Sequence, residues 1–366
     1  MERSDDTPMI TTVIPTYRRP QFLKRAVRSV LQQTFPQLRV CVCDNASGDE
    51  TAAVVERLRQ QDRRIEYHGN AANIGSYNNF NFGIRSVQTP LFSLLSDDDV
   101  LAPTFYERAI AAFERYPDAM FVSLATMVVD ERGQVISPPL QVDDTRYFSA
   151  GEGFQAVATL AVPNTWTGIV FRTDIRERMG MIDVDAGPFA DGGFVCHAAA
   201  RFPFVVVPGV AAVLVAHAVS TSGTVGPLDQ RWLTWEERMI AAIENDLQVS
   251  VQIRQSVRGL LKRNYRQIAI LQVGRALTEG DVELAQRVAE GLSYCGHRVS
   301  SFMLRTLIRL YRGLPPLRAG LRFIRKLRRR RVERAHEAMH DKYKNEVAFM
   351  GQLAQPAVRH TESHSV

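Results

Sequence analysis

Cysteine is scarce: four residues in 366, at Cys41, Cys43, Cys196 and Cys295. No two of them have zinc-ligand spacing, which argues against a structural zinc site and for a reducing, cytoplasmic setting. Cys41 and Cys43 fall two apart in an apolar strand and read as small core residues on one face. Long hydrophobic runs are also missing. No stretch approaches the ~18 uncharged apolar residues of a membrane span. Residues 1–8 are polar and acidic, so no secretion signal is expected there. No G-x-G-x-x-G follows the first strand, which argues against a dinucleotide-dependent dehydrogenase. No internal repeat is visible.

What is present is ordinary in bulk and uneven in charge. The apolar fraction of 45% and charged fraction of 23% suit a soluble globular protein. The net charge of +6 hides an asymmetry: residues 298–344 carry fifteen Lys/Arg against three Asp/Glu, leaving 30 against 36 elsewhere. The basic character therefore belongs to a C-terminal segment.

The pattern over the first hundred residues alternates strand and helix. Ile10–Ile14 reads as a strand, and Pro20 opens a helix with Phe22, Leu23, Ala26, Val27, Val30 and Leu31 on one face. Arg39–Cys43 is a second strand, and Asp49 caps a helix running to about Gln60. Ile65–His68 is a third strand. After a link at Asn73–Gly75 comes a helix through Ile84 to Val87, then a fourth strand at Leu91–Leu95. Such alternation implies parallel strands with helices on both faces, and ligands bind beyond the carboxyl ends of such strands. Pro15-Thr16-Tyr17, Asp44 and Asp97-Asp98-Asp99 all lie at such ends. Three adjacent carboxylates after an apolar strand repel one another and call for a cation, and hard divalent cations take carboxylate oxygens.

Further along, a helix is expected over Pro103–Tyr116 and a hairpin from Phe121–Val129 through Asp130–Gly133 into Val135-Ile136. Asp143–Ala150 reads as an irregular loop. Strands are expected at Ile169–Phe171, Phe204–Val207 and Ala212–Ala216, with a helix at Asp191–Arg201 between them. Ser220–Pro227 is turn-rich and marks a boundary. The division expected is a catalytic domain at 1–226, a helical region at 227–297, basic amphipathic helices at 298–353 and a disordered tail at 354–366. The helical region should pack through Leu233, Met239, Ile240, Ile243, Leu260, Leu261, Ile268, Ile270, Leu271, Val282, Leu284, Val288 and Leu292. Val299, Phe302, Met303, Leu307, Leu310 and Tyr311 then recur at helical spacing beside Arg305, Arg309 and Arg312. A second basic helix is read over Leu321–Leu327.

Several of these pieces, in order, resemble the inverting family 2 glycosyltransferases of the GT-A fold. They are Val13–Arg19, Ser29–Thr34, Val42–Ser47, Asn73–Gly75, Asn81–Ile84 and Leu95–Asp99, the last matching the family's DxD element. Gly168–Arg172, Gly180–Asp183, Phe189–Asp191 and His217 with Ser220–Ser222 look like its second-half landmarks. The resemblance spans roughly residues 9–224. It implies an α/β fold, a Rossmann-like mixed sheet flanked by helices, with the helical region appended. It also implies that Pro15, Thr16, Tyr17, Arg19, Asp44, Asn73, Asp97 and Asp98 border a nucleotide diphosphate sugar. Asp97 and Asp99 would bind Mn²⁺ or Mg²⁺, and Asp191 would be the general base.

Bland readings stand beside these. Asp191 can be a helix N-cap, and Asp183 and Asp185 are alternative bases. His217 is either a third metal ligand or a core histidine, since imidazole suits Mn²⁺. Asn73 can be a turn residue, and Trp166 either stacks on a sugar or packs in the core. The basic segment suits an anionic membrane surface, another polyanion, or a solvated helix face. No aromatic nucleic-acid signature accompanies it, and the membrane surface is favoured. The function expected is metal-dependent, inverting sugar transfer from a UDP-, GDP- or dTDP-linked donor to a glycan or lipid-linked acceptor. The enzyme would be cytoplasmic, peripheral at the membrane. The rival is a non-catalytic membrane- or polyanion-binding scaffold.

Overall fold

The computed structural model describes residues 7–217, 230–294, 296–314, 320 and 337–353. In the first strand, β1 (Ile10–Thr16), side chains alternate: Ile10 and Ile14 enter one core cluster and Val13 the other. Pro20 opens α1 (Pro20–Leu31), whose Leu23, Ala26, Val27 and Val30 cover the Ile10 and Ile14 face. The alternation continues through β2 (Leu38–Asp44), α2 (Thr51–Arg59), β3 (Ile65–Gly69), α3 (Ser76–Ser86) and β4 (Leu91–Leu94). β1 pairs in parallel with β2 and β4, and β2 with β3. Cys41 and Cys43 share the α3 side, their Sγ atoms 3.7 Å apart. That helix lies close to the sheet. A Cβ at Gly83 would stand 2.3 Å from Val13 Cγ1 and 2.9 Å from Cys43 Sγ, so glycine permits the approach.

The second half makes the sheet mixed. It comprises β5 (Val100–Leu101), α4 (Phe105–Arg115), β6 (Phe121–Asp130), β7 (Val135–Ser137), β8 (Arg146–Phe148), α5 (Phe154–Ala158), β9 (Ile169–Arg172), α6 (Ile175–Met179), α7 (Ala190–Arg201) and β10 (Phe204–Ala216). β9 runs antiparallel between β4 and β6, and β10 runs parallel to β6. The main path is β3-β2-β1-β4-β9-β6-β10-β5. The hairpin read from Asp130–Gly133 forms, with β7 antiparallel to β6.

Two local readings need correction. The stretch 143–150 is not wholly irregular, because β8 pairs antiparallel with the start of β10. Tertiary packing decides it: the Phe148 ring stacks on Phe204 at 4.8 Å. The two strands expected at 204–207 and 212–216 are one, β10. Pro208-Gly209 makes an irregularity within it, with Gly209 at φ +103°, rather than a turn.

The C-terminal region is helical, as expected: α8 (Gln230–Glu244), α9 (Val251–Glu279), α10 (Val282–Tyr294) and α11 (Arg298–Gly313). Met239, Ile240, Ile243, Val257 and Leu261 join the same core cluster as α7, so α8 and the start of α9 are built onto the sheet domain. The rest of α9 forms a separate cluster with α10 and α11. There the sequence reading chose the wrong face. Ile268, Ile270 and Leu271 are exposed, while the small Ala269, Val273 and Ala276 make the contact. α11 buries Ser301, Ile308 and Tyr311 and leaves the stripe of Val299, Phe302, Met303, Leu307 and Leu310 exposed. Among the described residues no helix is long and apolar enough to cross a membrane.

Residues 337–353 return to the sheet domain. Tyr343, Val347 and Leu353 pack on Val100, Met127, Val129, Val135, Val213 and Val215, and Gln141 donates to the Tyr343 hydroxyl at 2.8 Å. The calls on Leu233, Cys295, Leu321–Leu327, Ser220–Pro227 and the tail from 354 lie outside the described residues or side chains.

Glu236 of α8 is 1% exposed, and among the described residues neither carboxyl oxygen has a hydrogen-bond partner. Burial raises its pKa from 4.5 to about 7. A raised folded-state pKa means stability that is complete below about pH 4.5 and lost as the pH climbs through about 7, by roughly 3 kcal/mol in all. Glu236→Met should abolish that pH dependence and raise the urea midpoint at pH 8 but not at pH 4. Parallel pH profiles for the two proteins would refute the assignment.

Candidate active site

Three strand ends build one wall. β1 ends in Thr16, and the chain turns through Arg18 at φ +55° so that Arg19 faces β4. Arg18 holds this turn against the end of β2, its backbone N–H donating to Ser47 Oγ at 2.9 Å and its Nε to Ser47 O at 3.1 Å. β4 ends in Leu95, whose N–H still bonds Val13 O at 3.0 Å, and the carboxylates follow.

Each carboxylate has a different environment. Asp97 Oδ2 accepts from Thr16 Oγ1 at 2.7 Å. Burial drives the Asp97 pKa up to about 6, with Asp98 adding repulsion and Thr16 and Arg19 opposing. Asp98 Oδ2 lies 2.8 Å from Arg19 Nη1 and 2.9 Å from His217 Nε2. Asp99 Oδ1 accepts the Val215 N–H at 3.1 Å, and burial raises its pKa well above the carboxylate range. Beneath them Arg25 donates through Nη2 to Asp98 O at 2.7 Å. Burial lowers the Arg25 pKa, while Asp99 and Asp98 counter this. The His217 ring stacks on Phe22 of α1 at 5.0 Å.

The three carboxylates and Arg19 line a cleft of about 520 Å³, while Arg25 and His217, whose side chain is 1% accessible, stand behind its lining. Its wall includes Pro15, Thr16, Tyr17, Arg19, Asn73, Asp97, Asp98 and Asp99, all named from the sequence. It also includes Asn45, Ser76 and Asn79, which sequence reasoning did not single out. Their signal was the asparagine density around the second strand end. Asn45 Nδ2 donates to Asn73 Oδ1 at 2.9 Å, and Asn79 Nδ2 to Cys43 O at 2.7 Å, so the amides fix the loop. Arg25 was also missed, for it reads as one more polar residue on a helix.

Other expected residues stand outside this wall. Asp44 is 4% exposed; Oδ1 accepts from Ser47 N and Oγ, and Oδ2 from the Tyr67 hydroxyl at 2.7 Å. An ionised carboxylate has about four acceptor sites, so roughly one remains for a ligand donor. Trp166 is buried against Phe80 at 4.4 Å and near Tyr77 at 6.3 Å, the core placement rather than a sugar platform. Asp191, in the first turn of α7, is not among the residues lining this cleft; it is near enough to Tyr77 for its charge to help burial raise the Tyr77 pKa. Burial raises the Asp191 pKa, while the Gly192 N–H, 2.7 Å from Oδ1, lowers it.

Residues 11–164 match the family model described as glycosyl transferase family 2. A GalNAc(5)-diNAcBac-PP-undecaprenol beta-1,3-glucosyltransferase of Campylobacter jejuni is 34% identical over 95 residues, 26% of this chain and 31% of that protein. An uncharacterized glycosyltransferase of Haemophilus influenzae is 24% identical over 111 residues, 30% of this chain and 34% of that one. The chain thus spans about a third of the length of these curated relatives. The structure of S. aureus TarS 1-349 in complex with UDP-GlcNAc aligns at a TM-score of 0.61 and 14% identity, over 83% of this chain and 92% of that one. That likeness establishes the GT-A fold.

The Thr16–Asp97 bond ties β1 to β4 through a charged acceptor. Thr16→Val keeps the shape and strands the carboxylate, so urea unfolding at pH 8 should show a loss of ~2 kcal/mol. A loss near zero would mean the bond contributes nothing to holding the wall.

Proposed function

We propose that this chain, whose residues 11–164 match the model of glycosyl transferase family 2 and whose fold is GT-A, transfers a sugar from a nucleoside diphosphate to a glycan or lipid-linked acceptor with inversion. The observation that carries the reading is the charge arrangement at the cleft floor. Three carboxylates and the Arg19 guanidinium line a cleft large enough for a nucleotide sugar, and the buried His217 imidazole contacts Asp98 from behind that lining.

A divalent cation fits part of this set. Among the described residues no three His, Cys, Asp or Glu side chains form a ready cage. Asp98 Oδ2 and His217 Nε2 are 2.9 Å apart, close to the ~3 Å between neighbouring ligands of an octahedral ion with ~2.1 Å bonds. Mg²⁺ and similar ions take one or two protein ligands and complete their shell from phosphates and water. The reading assigns Asp98 and His217 as the protein ligands. Asp99, the sequence-based choice, has one oxygen on Val215 N–H and serves beneath. Mn²⁺ or Mg²⁺ there would neutralise charge on the departing diphosphate.

The remaining work falls to side chains of this chain. Arg19 borders both the carboxylates and the open cleft, placed to bind the diphosphate. Asn45 and Asn73, which line the cleft, would face the base, with Asp44 holding the loop behind them through Ser47 and Tyr67. Asp191 takes the proton of the acceptor hydroxyl as that oxygen attacks the anomeric carbon from the side opposite the diphosphate. Its raised pKa makes it a stronger base and predicts activity lost on the acid side.

With Mn²⁺, calorimetry should detect UDP or GDP binding that EDTA, Asp98→Ala and His217→Ala each abolish. UDP-GlcNAc, the donor bound in the TarS structure, is the first donor to assay. Asp191→Asn should retain donor binding and lose ~10²–10⁴-fold in turnover. Absence of any nucleotide binding would leave the scaffold reading, and full turnover by Asp191→Asn would remove the base.

A membrane contact belongs to the same proposal. On α11, Val299, Phe302, Met303, Leu307 and Leu310 are exposed along one face, and Arg298, Arg305, Arg309 and Arg312 line its edge. That is the pattern of a helix lying in an anionic interface. Phosphatidylglycerol vesicles should bind the chain and phosphatidylcholine vesicles should not, with Phe302→Glu weakening binding ~10-fold or more. Equal retention by both vesicle types would contradict it.

A further inference from the structure

We infer that Arg238 and Trp235 of α8 are positioning residues for the general base, clamping the short turn that aims Asp191. The inference rests on the assignment of Asp191 above. A 3₁₀ turn, Val184–Phe189, leads directly into α7, whose second residue is Asp191. Within the turn, Asp185 N–H donates to Asp183 Oδ1 and Ala186 N–H to Asp183 O, both at 3.1 Å. Gly187 breaks the helical path at φ +53° and ψ −133°. So short a kinked turn does not fix its own orientation, because 3₁₀ hydrogen bonds are weak and few.

The missing constraint comes from α8. Arg238 grips Asp183 with both arms of its fork: Nε to Oδ2 and Nη2 to Oδ1, each 2.8 Å. The same Nη2 reaches Asp185 Oδ2 at 3.2 Å. Such a bidentate pair fixes direction as well as distance. One turn earlier, the Trp235 indole lies flat against the kink, where a Cβ on Gly187 would come within 2.3 Å of its Cε2. Met239 completes this face. Its Cγ would stand 3.2 Å from a Cβ at Gly193, two residues past the base. Residues 235, 238 and 239 share one helix face at i, i+3 and i+4. One face of α8 thus touches the chain before and after Asp191. The matched family region ends at residue 164, so this support comes from outside it.

The Arg238–Asp183 pair is half exposed, its side chains 42% and 40% accessible. Exposed pairs contribute little to global stability. Its value lies in placement, since a shift of ~1 Å at a reacting group costs ~10²-fold in rate. This separates positioning from mere scaffolding by experiment.

In the full-length protein, Arg238→Gln should lower kcat by ~10–100-fold and leave donor KM within about twofold. Its Tm should change by less than about 3 °C. The acid limb of the kcat–pH profile should move to lower pH, as the loosened turn admits water to Asp191. The charge-exchanged double variant Arg238→Asp/Asp183→Arg should recover most of the lost kcat. An inactive Asp191→Asn beside an Arg238→Gln of unchanged kcat overturns this inference alone. Full activity in Asp191→Asn removes the base assignment and the inference with it. A large Tm loss with kcat unchanged at low temperature also overturns it, because the pair would then be purely structural.

Discussion

Everything in the cleft follows from placing three consecutive carboxylates at the buried end of β4. Asp97, Asp98 and Asp99 are between 5% and 8% exposed, and like charges so close are unfavourable without compensation. The fold answers the three residues with different donors. Thr16 and Arg19 come from the end of β1, Arg25 from α1, and the Val215 N–H and His217 from the end of β10. A parallel β1–β4 pair brings Thr16 beside Asp97, and β10 closes the other side. The compensation is partial, since Asp97 and Asp99 still titrate above the usual range. In the proposed function a divalent cation would supply the missing positive charge and bridge to the anionic diphosphate.

The C-terminal half supports this arrangement from outside. Residues 337–353 pack under Val213 and Val215, the strand that delivers one backbone donor and His217 to the carboxylates. α8 packs on the chain that carries Asp191. The two sides of the cleft are therefore each backed by segments remote in sequence. A region that reads as an appendage in the sequence shares the main core.

Much of the sheet was legible because its signals are local. Short apolar and β-branched runs located β1, β2 and β4 to within about two residues, and Pro20 marked the start of α1. The strand-end rule gathered Pro15, Thr16, Tyr17 and the three aspartates at one cleft, and the family resemblance added Arg19 and Asn73. What escaped was set by distant partners. β8 exists because Phe148 meets Phe204 across the sheet, and β10 stays whole because a bulge absorbs Pro208-Gly209. The face of α9 was misjudged because Ala269, Val273 and Ala276, rather than Ile268, Ile270 and Leu271, fit against the neighbouring helices. Which aspartate faces His217 was also unreadable. It depends on the strand twist after Leu95, and three identical side chains carry no order of their own.

The central claim is that Asp98 and His217 together form the protein half of a cation–diphosphate site. Anomalous diffraction at the manganese edge, on crystals grown with UDP and Mn²⁺, tests it most directly. The account predicts one manganese peak bonded to Asp98 and His217, with the diphosphate beside Arg19. A peak held by Asp99 without Asp98, or bound UDP with no manganese at this floor, would contradict it.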